Sequence, residues 1–301
     1  MKNFLLYIAS LLLLTIILAY FCDFVGTYAF THTKGRGKIN FIYNSEKLEY
    51  DVIALGSSRA ENHFANNPFL ERKISFFNYG MSGSNLMESS LMLKLMIERG
   101  WKIKTVLLQV DSNIAGEGSN GKITAMFLPY LNESKIIQEH LSSLEDYSEL
   151  RMIPFYRYIK YGSVIGFRQL ALAFAQKKST VLENYGYAPL SEIGRDLKGS
   201  VDVKAQHNRY YDEIKRICKD NNIRLEALTT PMCENASNYN FFLETLNKIY
   251  PEIKRYEKVI NGDTYFSSCG HMNDLGANKF TNIIIEDLIL KNRKAKNIII
   301  R

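Results

Sequence analysis

Serine, glycine, amide and histidine residues follow the apolar runs of this sequence, at points where strands would end. Ser58, Gly83 and Asn113 each come shortly after such a run, and His271 follows the last one. A hydroxyl nucleophile, oxyanion donors and a general base together catalyse acyl transfer. Taken singly, each residue also has a structural role, because Gly-Ser turns cap helices and glycine supplies positive φ. The set predicts an acyl-transfer site if the fold brings the four residues together.

The elements that must position these residues alternate between strands and helices. Strands are predicted over 50–55, 74–79, 103–110 and 223–228, with a weak fifth over 258–260, and helices over 86–97, 205–219 and 276–290. Continuous apolar strands separated by helices favour a parallel sheet covered on both faces, a three-layer α/β sandwich. Ligands bind outside the carboxyl ends of the strands in such sheets. The polar residues at the strand ends are therefore expected to converge.

Three regions of different character divide the chain. Residues 1–30 are expected to form a membrane anchor, 31–48 a linker and 49–301 an α/β domain. An insertion at about 114–200 lacks strand alternation and is predicted to be a helical cap over one end of the sheet. Its aromatic and basic stretch over 154–161 is attributed to packing, with contact to a membrane surface or a glycan as the alternative.

The N-terminal segment from Phe4 to Cys22 is uncharged and almost wholly apolar. Its 19 residues, at a rise of about 1.5 Å each, match the roughly 30 Å hydrocarbon core of a bilayer. A cleaved signal peptide would have a shorter apolar region and small residues at its exit, so an uncleaved transmembrane anchor is predicted. The basic residues Lys34, Arg36 and Lys38 outnumber Lys2, and taken alone this charge bias favours a cytoplasmic body.

Composition excludes several classes of protein. With 46% apolar and 23% charged residues, the chain is not disordered, collagen-like or a multi-span membrane protein. Its net charge of +7 is not gathered into a basic block with interleaved aromatics, so no nucleic-acid partner is expected. The four cysteines include no CxxC pair, so no structural zinc site is expected. Any one disulfide among Cys218, Cys233 and Cys269 remains open.

Three segments carry a resemblance to a known family. Asp51–Ala60 (DVIALGSSRA), Asn78–Gly83 (NYGMSG) and His271–Thr281 (HMNDLGANKFT) resemble the blocks of SGNH (GDSL-type) hydrolases. More narrowly, they are similar to the membrane-anchored exported branch, which includes alginate O-acetylation proteins and the D-alanyl transfer protein of teichoic acid synthesis. The similarity covers roughly residues 49–113 and 223–290 and leaves the insertion unmatched.

The resemblance implies a flavodoxin-like α/β domain outside the cytoplasmic membrane. It implies a serine esterase or O-acyltransferase that acts on acylated cell-envelope polysaccharide or a related glycan and needs no metal or other cofactor. An acylated glycan or acyl donor is the implied ligand, and other envelope polysaccharide-modifying proteins are the implied partners. Acyl group and sugar are not specified by the resemblance.

The resemblance also assigns roles by position. Ser58 corresponds to the nucleophile and His271 to the catalytic base. The backbone N–H groups of Ser58 and Gly83 and the side-chain amide of Asn113 correspond to the oxyanion donors, with Asp111 as the other candidate for the place of that asparagine. Arg59 is a candidate for binding an acidic substrate, although a structural ion pair is the commoner role for such an arginine.

One family residue differs in this chain. The family has an acid three residues before the histidine, where this sequence has Ser268. In serine-protease triads the acid holds the imidazole tautomer, and its loss costs about 10⁴ in turnover. Three alternatives follow. Asp263 or Asp274 replaces the acid, a backbone carbonyl orients His271, or the protein has lost catalysis and kept binding.

Two rival functions are weighed against acyl transfer. The segment 116–122 satisfies most of the spacing of a phosphate-binding loop, but Ile123 stands where a Ser or Thr must reach Mg²⁺, which disfavours nucleotide binding. The stronger rival is a catalytically inactive SGNH-like protein that binds a glycan or a partner in exopolysaccharide biosynthesis or modification. Unusual reactivity of Ser58 would separate catalysis from binding alone.

Overall fold

The structure is a computed structural model that describes residues 1–291. The last ten residues of the predicted domain, 292–301, lie outside the described residues. The chain divides into two compact units. An N-terminal unit combines residues 1–46 with 121–179, and a sheet unit combines residues 47–120 with those from Thr180 onward.

Helices occur along the whole described chain. In order they are α1 (Lys2–Thr31), α2 (Lys38–Tyr43), α3 (Ser58–His63), α4 (Asn67–Glu71), α5 (Leu86–Glu98), α6 (Gly121–Ala125), α7 (Lys135–Leu141), α8 (Tyr147–Met152), α9 (Tyr156–Lys160), α10 (Gly162–Ile165), α11 (Phe167–Phe174), α12 (Thr180–Glu183), α13 (Arg209–Asp220), α14 (Tyr239–Ile249) and α15 (Asp274–Ile284). Short 3₁₀ turns cover Ser112–Ile114, Leu128–Tyr130 and Asp263–Tyr265, and a π-helical segment covers Ile285–Leu290.

Strands occur in the sheet unit. In order they are β1 (Glu49–Leu55), β2 (Phe76–Asn78), β3 (Lys102–Gln109), β4 (Gly199–Ser200), β5 (Arg224–Leu228), β6 (Ala236–Ser237), β7 (Phe266–Ser268) and β8 (His271–Met272). The main sheet has the order β2-β1-β3-β5. Its strands are parallel, with Ile53 opposite Phe77 and Val106, and Val106 opposite Leu225.

The predicted α/β class with a parallel sheet is confirmed, and the first four predicted strands are present. The fifth, over 258–260, is wrong. The chain there forms turns, and only a one-residue bridge between Leu228 and Lys254 extends the sheet. The carboxyl ends of all four strands lie at the same edge of the sheet, because the strands are parallel.

The apolar runs bury the sheet against helices. In β1 the residues from Val52 to Leu55 are all buried, as expected for a strand covered on both faces. Helix α15 packs on α3 and α4, and α5 packs on α13. The core between these elements includes Val52, Ala54, Ala60, Phe64, Phe69, Phe76, Leu107, Leu228, Phe266, Met272, Phe280 and Ile284.

Helix boundaries follow local capping. Asn85 and Glu88 form a capping box at the start of α5, and Asn208 accepts two backbone N–H groups at the start of α13. Asn273 caps α15 by accepting from the N–H of Gly276. The predicted helix over 276–290 is thus present as α15 and the π-helical segment that follows it.

The N-terminal unit is built around α1, whose length and apolar composition suffice to cross a membrane. The segment 31–48, expected to be a linker, contains α2 and is packed into this unit. Asn40 is buried and donates to the carbonyl of Phe30 and to the hydroxyl of Tyr130 at 2.9 and 2.8 Å. The insertion is helical as predicted, but only residues 121–179 join this unit, and its remainder belongs to the sheet unit.

Candidate active site

The turn that carries Ser58 is tied to the end of the neighbouring strand. Ser57 caps α3, and Ser58 is the first residue of that helix. The backbone N–H and the hydroxyl of Ser57 donate to Oε1 of Gln109 at 2.8 and 2.9 Å. Gln109 is the last residue of β3 and is fully buried. The serine turn is therefore held by a satisfied side chain of the sheet.

Ser58 and His271 meet although 213 residues separate them in sequence. Nε2 of His271 lies 2.8 Å from Oγ of Ser58. The histidine begins β8, which pairs with β7 in an antiparallel hairpin. A hydroxyl at this distance from an imidazole nitrogen has the geometry of a nucleophile with its general base.

The second ring nitrogen of His271 meets the residue that occupies the family's acid position. Nδ1 lies 3.1 Å from Oγ of Ser268. If Nε2 is to accept the proton of Ser58, Nδ1 must carry the ring proton and donate a hydrogen bond to Oγ of Ser268. Ser58, His271 and Ser268 thus form a hydrogen-bonded row in which a neutral hydroxyl takes the place of a carboxylate.

The electrostatic surroundings keep His271 neutral. Burial of the ring lowers the pKa of His271 below its ordinary value, and the positive charge of Arg59 lowers it further. A neutral imidazole is the form that accepts a proton, so these surroundings suit a general base.

Neither aspartate expected as a substitute acid contacts His271. Oδ2 of Asp263 accepts the N–H of Leu197 at 2.8 Å. Oδ1 of Asp274 accepts the hydroxyl of Tyr187 at 2.8 Å and the amide of Asn278 at 3.0 Å. Both side chains are engaged in structural contacts, and the partner of Nδ1 is a hydroxyl rather than a backbone carbonyl.

The turn that carries Gly83 lies beside the serine turn. The N–H of Met81 and the hydroxyl of Ser84 both donate to the carbonyl of Gly56, at 3.0 and 2.8 Å. Gly83 has a φ of 84°, which glycine adopts without strain. Within the described part of the chain, the backbone N–H groups of Ser58 and Gly83 have no hydrogen-bond acceptor. Both donors remain available to an oxyanion.

Asn113 does not serve as the third oxyanion donor in this structure. Its Oδ1 accepts the N–H of Asp111 at 2.8 Å, and its Nδ2 donates to the carbonyl of Gln109 at 3.1 Å. Asparagine side chains readily fold back on nearby backbone in this way. The amide closes the turn after β3, and the expectation that it faces Ser58 is corrected.

Arg59 is a structural residue rather than a substrate-binding one. It is buried and forms an ion pair with Asp111 at 3.2 Å. Its Nη2 donates to the carbonyls of Thr230 and Pro231 at 2.5 and 2.8 Å. Asp111, the other candidate for the family's asparagine position, also accepts the hydroxyls of Thr230 and Tyr239. This network joins the ends of the strands and buries the Arg59 side chain away from solvent.

Sequence reasoning missed two residues that position the site. Gln109 holds the serine turn, and its signal was an uncharged polar residue near the end of the apolar run 103–110. His63 is fully buried, and its Nε2 accepts the N–H of Met272 at 3.0 Å, which fixes the strand that carries His271. Burial lowers the pKa of His63 well below its ordinary value, in agreement with its role as an acceptor. No sequence pattern distinguishes His63 from a surface histidine.

A disulfide joins the turn of the β7–β8 hairpin, which carries His271, to another loop. Cys233 and Cys269 are bonded, which settles the pairing that the sequence leaves open, and Cys218 is free and buried. Cys269 stands directly between Ser268 and Gly270, next to His271. The N–H of Cys233 donates to the carbonyl of Cys269 at 2.9 Å. The hairpin is therefore joined covalently to the loop that follows β5.

No protein-family model matches this chain, and no curated protein matches it. Among residues 1–291, no group of three or more His, Cys, Asp or Glu side chains is arranged to hold a metal ion.

Proposed function

We propose that this chain is an SGNH-type serine esterase or O-acyltransferase that acts on acylated cell-envelope polysaccharide or a related glycan. Ser58 is the nucleophile and His271 the general base. The observation that carries the proposal is the 2.8 Å approach of His271 Nε2 to Ser58 Oγ, made by an imidazole whose pKa is lowered. Serine hydroxyls need such a base, because at their ordinary pKa they are weak nucleophiles.

The first half-reaction forms an acyl-serine. The Ser58 hydroxyl gives its proton to Nε2 of His271 as Oγ attacks the ester carbonyl carbon. The resulting oxyanion accepts hydrogen bonds from the backbone N–H groups of Ser58 and Gly83, whose strength increases as negative charge develops. The bond to the leaving alcohol then breaks, and the protonated Nε2 returns its proton to the departing oxygen.

The second half-reaction releases the acyl group. Water or a sugar hydroxyl gives a proton to Nε2 as its oxygen attacks the acyl-serine carbonyl. Collapse of the second tetrahedral intermediate breaks the bond to Ser58 Oγ, which takes the proton back from His271. Water as acceptor gives an esterase, and a sugar hydroxyl gives an O-acyltransferase.

Ser268 maintains the histidine tautomer in this scheme. Its hydroxyl oxygen accepts a hydrogen bond from Nδ1–H throughout the cycle, as the acid of a triad does, but it carries no charge. A hydrogen bond to a charged acceptor contributes more than one to a neutral acceptor, by about 1 kcal/mol. The imidazolium is therefore stabilised less than it would be by aspartate, and a slow enzyme is expected.

The sheet unit suits the SGNH-type three-layer sandwich, in which helices cover both faces of the sheet. One set of contacts joins α3, α4 and α15, and another joins α5 and α13. The Cys233–Cys269 bond supports an oxidising compartment outside the cytoplasmic membrane, since disulfides are rare in reduced cytosol. We weigh this above the basic residues after the anchor, which favour the opposite side.

The alternative is a catalytically inactive SGNH-like protein that binds a glycan or a partner. The replacement of the usual acid by Ser268, which is exposed, favours it. Binding alone requires no activated serine, so the reactivity of Ser58 separates the two functions.

The test is labelling of the full-length, detergent-solubilised chain with a fluorophosphonate probe, beside the variants Ser58→Ala and His271→Ala. We expect labelling of the wild type that is lost in both variants. The matched control is Ser142→Ala, because Ser142 is an exposed serine of the N-terminal unit whose hydroxyl donates to the carbonyl of Glu139.

Labelling should persist in Ser142→Ala. Emission of Trp101, a buried residue, reports whether each variant is folded. A folded wild type that does not react would overturn the catalytic proposal and favour the binding protein.

A further inference from the structure

We infer that helices α8–α11 form a second membrane-contacting surface, which inserts apolar side chains into the interfacial region of an anionic bilayer beside the anchor. This surface, termed the interfacial face, consists of the exposed apolar residues of the segment 152–174. It is independent of the acyl-transfer site.

The segment contacts α1 where the apolar run ends. Asp23 is the first residue after the uncharged stretch 4–22, and its carboxylate accepts the N–H of Phe155 and Nη2 of Arg157, both at 2.9 Å. Thr27, one turn further on, is 3.0 Å from the hydroxyl of Tyr158. With the run spanning the hydrocarbon core, these contacts lie within about one helical turn of its boundary.

The contact between the segment and α1 is close enough to fix the position of the segment along the helix axis. A Cβ atom added to Gly26 would lie 3.0 Å from the ring of Tyr158, so the ring rests directly on the helix backbone. Arg157 is almost wholly buried and also donates to Thr27 Oγ1 at 2.9 Å. The segment 155–158 is therefore held against α1 at the level of the lipid headgroups.

Large apolar side chains beside this contact are left exposed. Relative exposures are Met152 72%, Ile153 48%, Ile159 69%, Phe167 75% and Phe174 54%. Ile153 and Ile159 flank the segment that touches α1, and the ring of Phe167 lies 5.9 Å from that of Phe155. A concentration of exposed apolar side chains marks an interaction surface, and continuity with a membrane-spanning helix identifies the bilayer as its partner.

The charge of this segment indicates which lipids it contacts. Residues 151–178 contain six Arg and Lys residues and no Asp or Glu, while α8 also carries Glu149 and Lys160 pairs with Asp146. Arg151, Arg168, Lys177 and Lys178 are exposed. Exposed cations are attracted to an anionic surface. Apolar side chains among cations and tyrosines are the composition of an interfacial helix.

The test reconstitutes the full chain in vesicles of phosphatidylcholine with phosphatidylglycerol, with or without lipids brominated near the headgroup. The variants Ile159→Trp and Phe167→Trp each add one tryptophan to the buried Trp101. Phe241→Trp is the matched control, because Phe241 is similarly exposed on α14 of the sheet unit. We expect bromine quenching and a blue shift at positions 159 and 167, and neither at 241.

A second measurement addresses charge. Replacing phosphatidylglycerol by phosphatidylcholine should weaken the quenching at 159 and 167. Quenching at both positions no greater than at 241 overturns the inference. So does a blue shift without bromine quenching, because the side chains would then contact protein instead of lipid. Far-ultraviolet circular dichroism of each variant shows that the chain has folded, and two independent positions guard against failure of one.

Discussion

The two halves of the Ser58–His271 pair are built in different ways. Ser58 begins a helix directly after a buried central strand, and its turn is held by Gln109 and by the Arg59–Asp111 network. His271 stands in a two-residue strand. It is held by the hydroxyls of Ser267 and Ser268, by the bond from its neighbour Met272 to His63 and by one disulfide. The nucleophile depends on the core of the domain, whereas the base depends on a few local links. We call the contacts that position Ser58 the serine side and those that position His271 the histidine side. The serine side should be lost only when the domain unfolds, whereas the histidine side should be lost while the domain stays folded.

Breaking the serine side should have the largest effect. Arg59→Met leaves Asp111 buried without its ion-pair partner, and removal of one partner of a buried pair costs about 3–5 kcal/mol. We expect that loss in the free energy of unfolding, measured by urea denaturation in detergent, and loss of probe labelling with the fold.

The control for this change is Arg72→Met. Arg72 pairs with Glu286 on the surface, where such bridges contribute about 0–1 kcal/mol. A folded Arg59→Met protein of wild-type stability would show that the network does not support the serine turn.

Breaking the disulfide should disable the histidine side while the sheet stays folded. The double variant Cys233→Ala/Cys269→Ala removes a cross-link whose contribution is about 2–4 kcal/mol. Because Cys269 adjoins Ser268 and is two residues from His271, we expect fluorophosphonate labelling to slow well beyond what the partial loss of stability explains. Cys218→Ala is the control, since Cys218 is buried but not bonded.

The claim that the disulfide is needed to position His271 would be wrong if labelling at low temperature were as fast in the double variant as in Cys218→Ala. That result would mean that the links from His63 and Ser268 hold His271 without help. Far-ultraviolet circular dichroism would establish that the sheet unit is folded in both.

Restoring the usual acid should strengthen the histidine side. Ser268→Asp puts a carboxylate where the hydroxyl meets Nδ1, and a charged acceptor adds roughly 1 kcal/mol over a neutral one. We expect labelling and ester hydrolysis to rise about fivefold, by the relation of rate to barrier height. Ser268→Ala should lower both by a similar factor, because Nδ1 then loses its partner. Equal rates in all three proteins would exclude Ser268 from the site.

The pH profile should show the smallest change. The pKa of His271 is lowered below 6.5 by burial and by the charge of Arg59. Protonation at low pH removes the base, so activity should rise with pH through that lowered pKa, at a lower pH than an ordinary histidine would give. In Ser268→Asp the new negative charge favours the imidazolium, which moves the rising limb to higher pH. A limb that stays in place would show that the carboxylate does not reach the ring.

The sequence was sufficient for the parts of the site that depend on strand direction. Ser58 comes directly after β1, as the strand pattern predicted. His271 lies in an antiparallel hairpin and does not follow a strand of the parallel sheet, so its pairing with Ser58 was expected from the family resemblance and not from strand direction. Asn113 could not be assigned, because an amide that binds an oxyanion and one that closes its own turn look the same in sequence. Arg59 was ambiguous for a similar reason, since burial is a property of the packed fold.

The disulfide pairing and the division of the chain into two units also could not be predicted from the sequence. Three cysteines allow three pairings, and only the fold brings Cys233 to Cys269. Ser268 was visible as a departure from the family pattern, but its contact with His271 depends on the hairpin. The segment expected to be a linker joins the N-terminal unit because Asn40 and its neighbours find partners far along the chain, in the insertion.

Two parts of α1 differ in how freely their sequence can change. Residues 4–22 need only be apolar and long enough, so another transmembrane sequence could replace them. Asp23, Gly26 and Thr27 are shaped to Arg157 and Tyr158, and α1 also buries Ala29 and Phe30. A soluble fragment that begins after α1 would leave the Arg157 guanidinium without its carboxylate and expose the apolar surface beneath. Truncation for crystallisation should therefore be made near Cys22, with the last third of the helix kept.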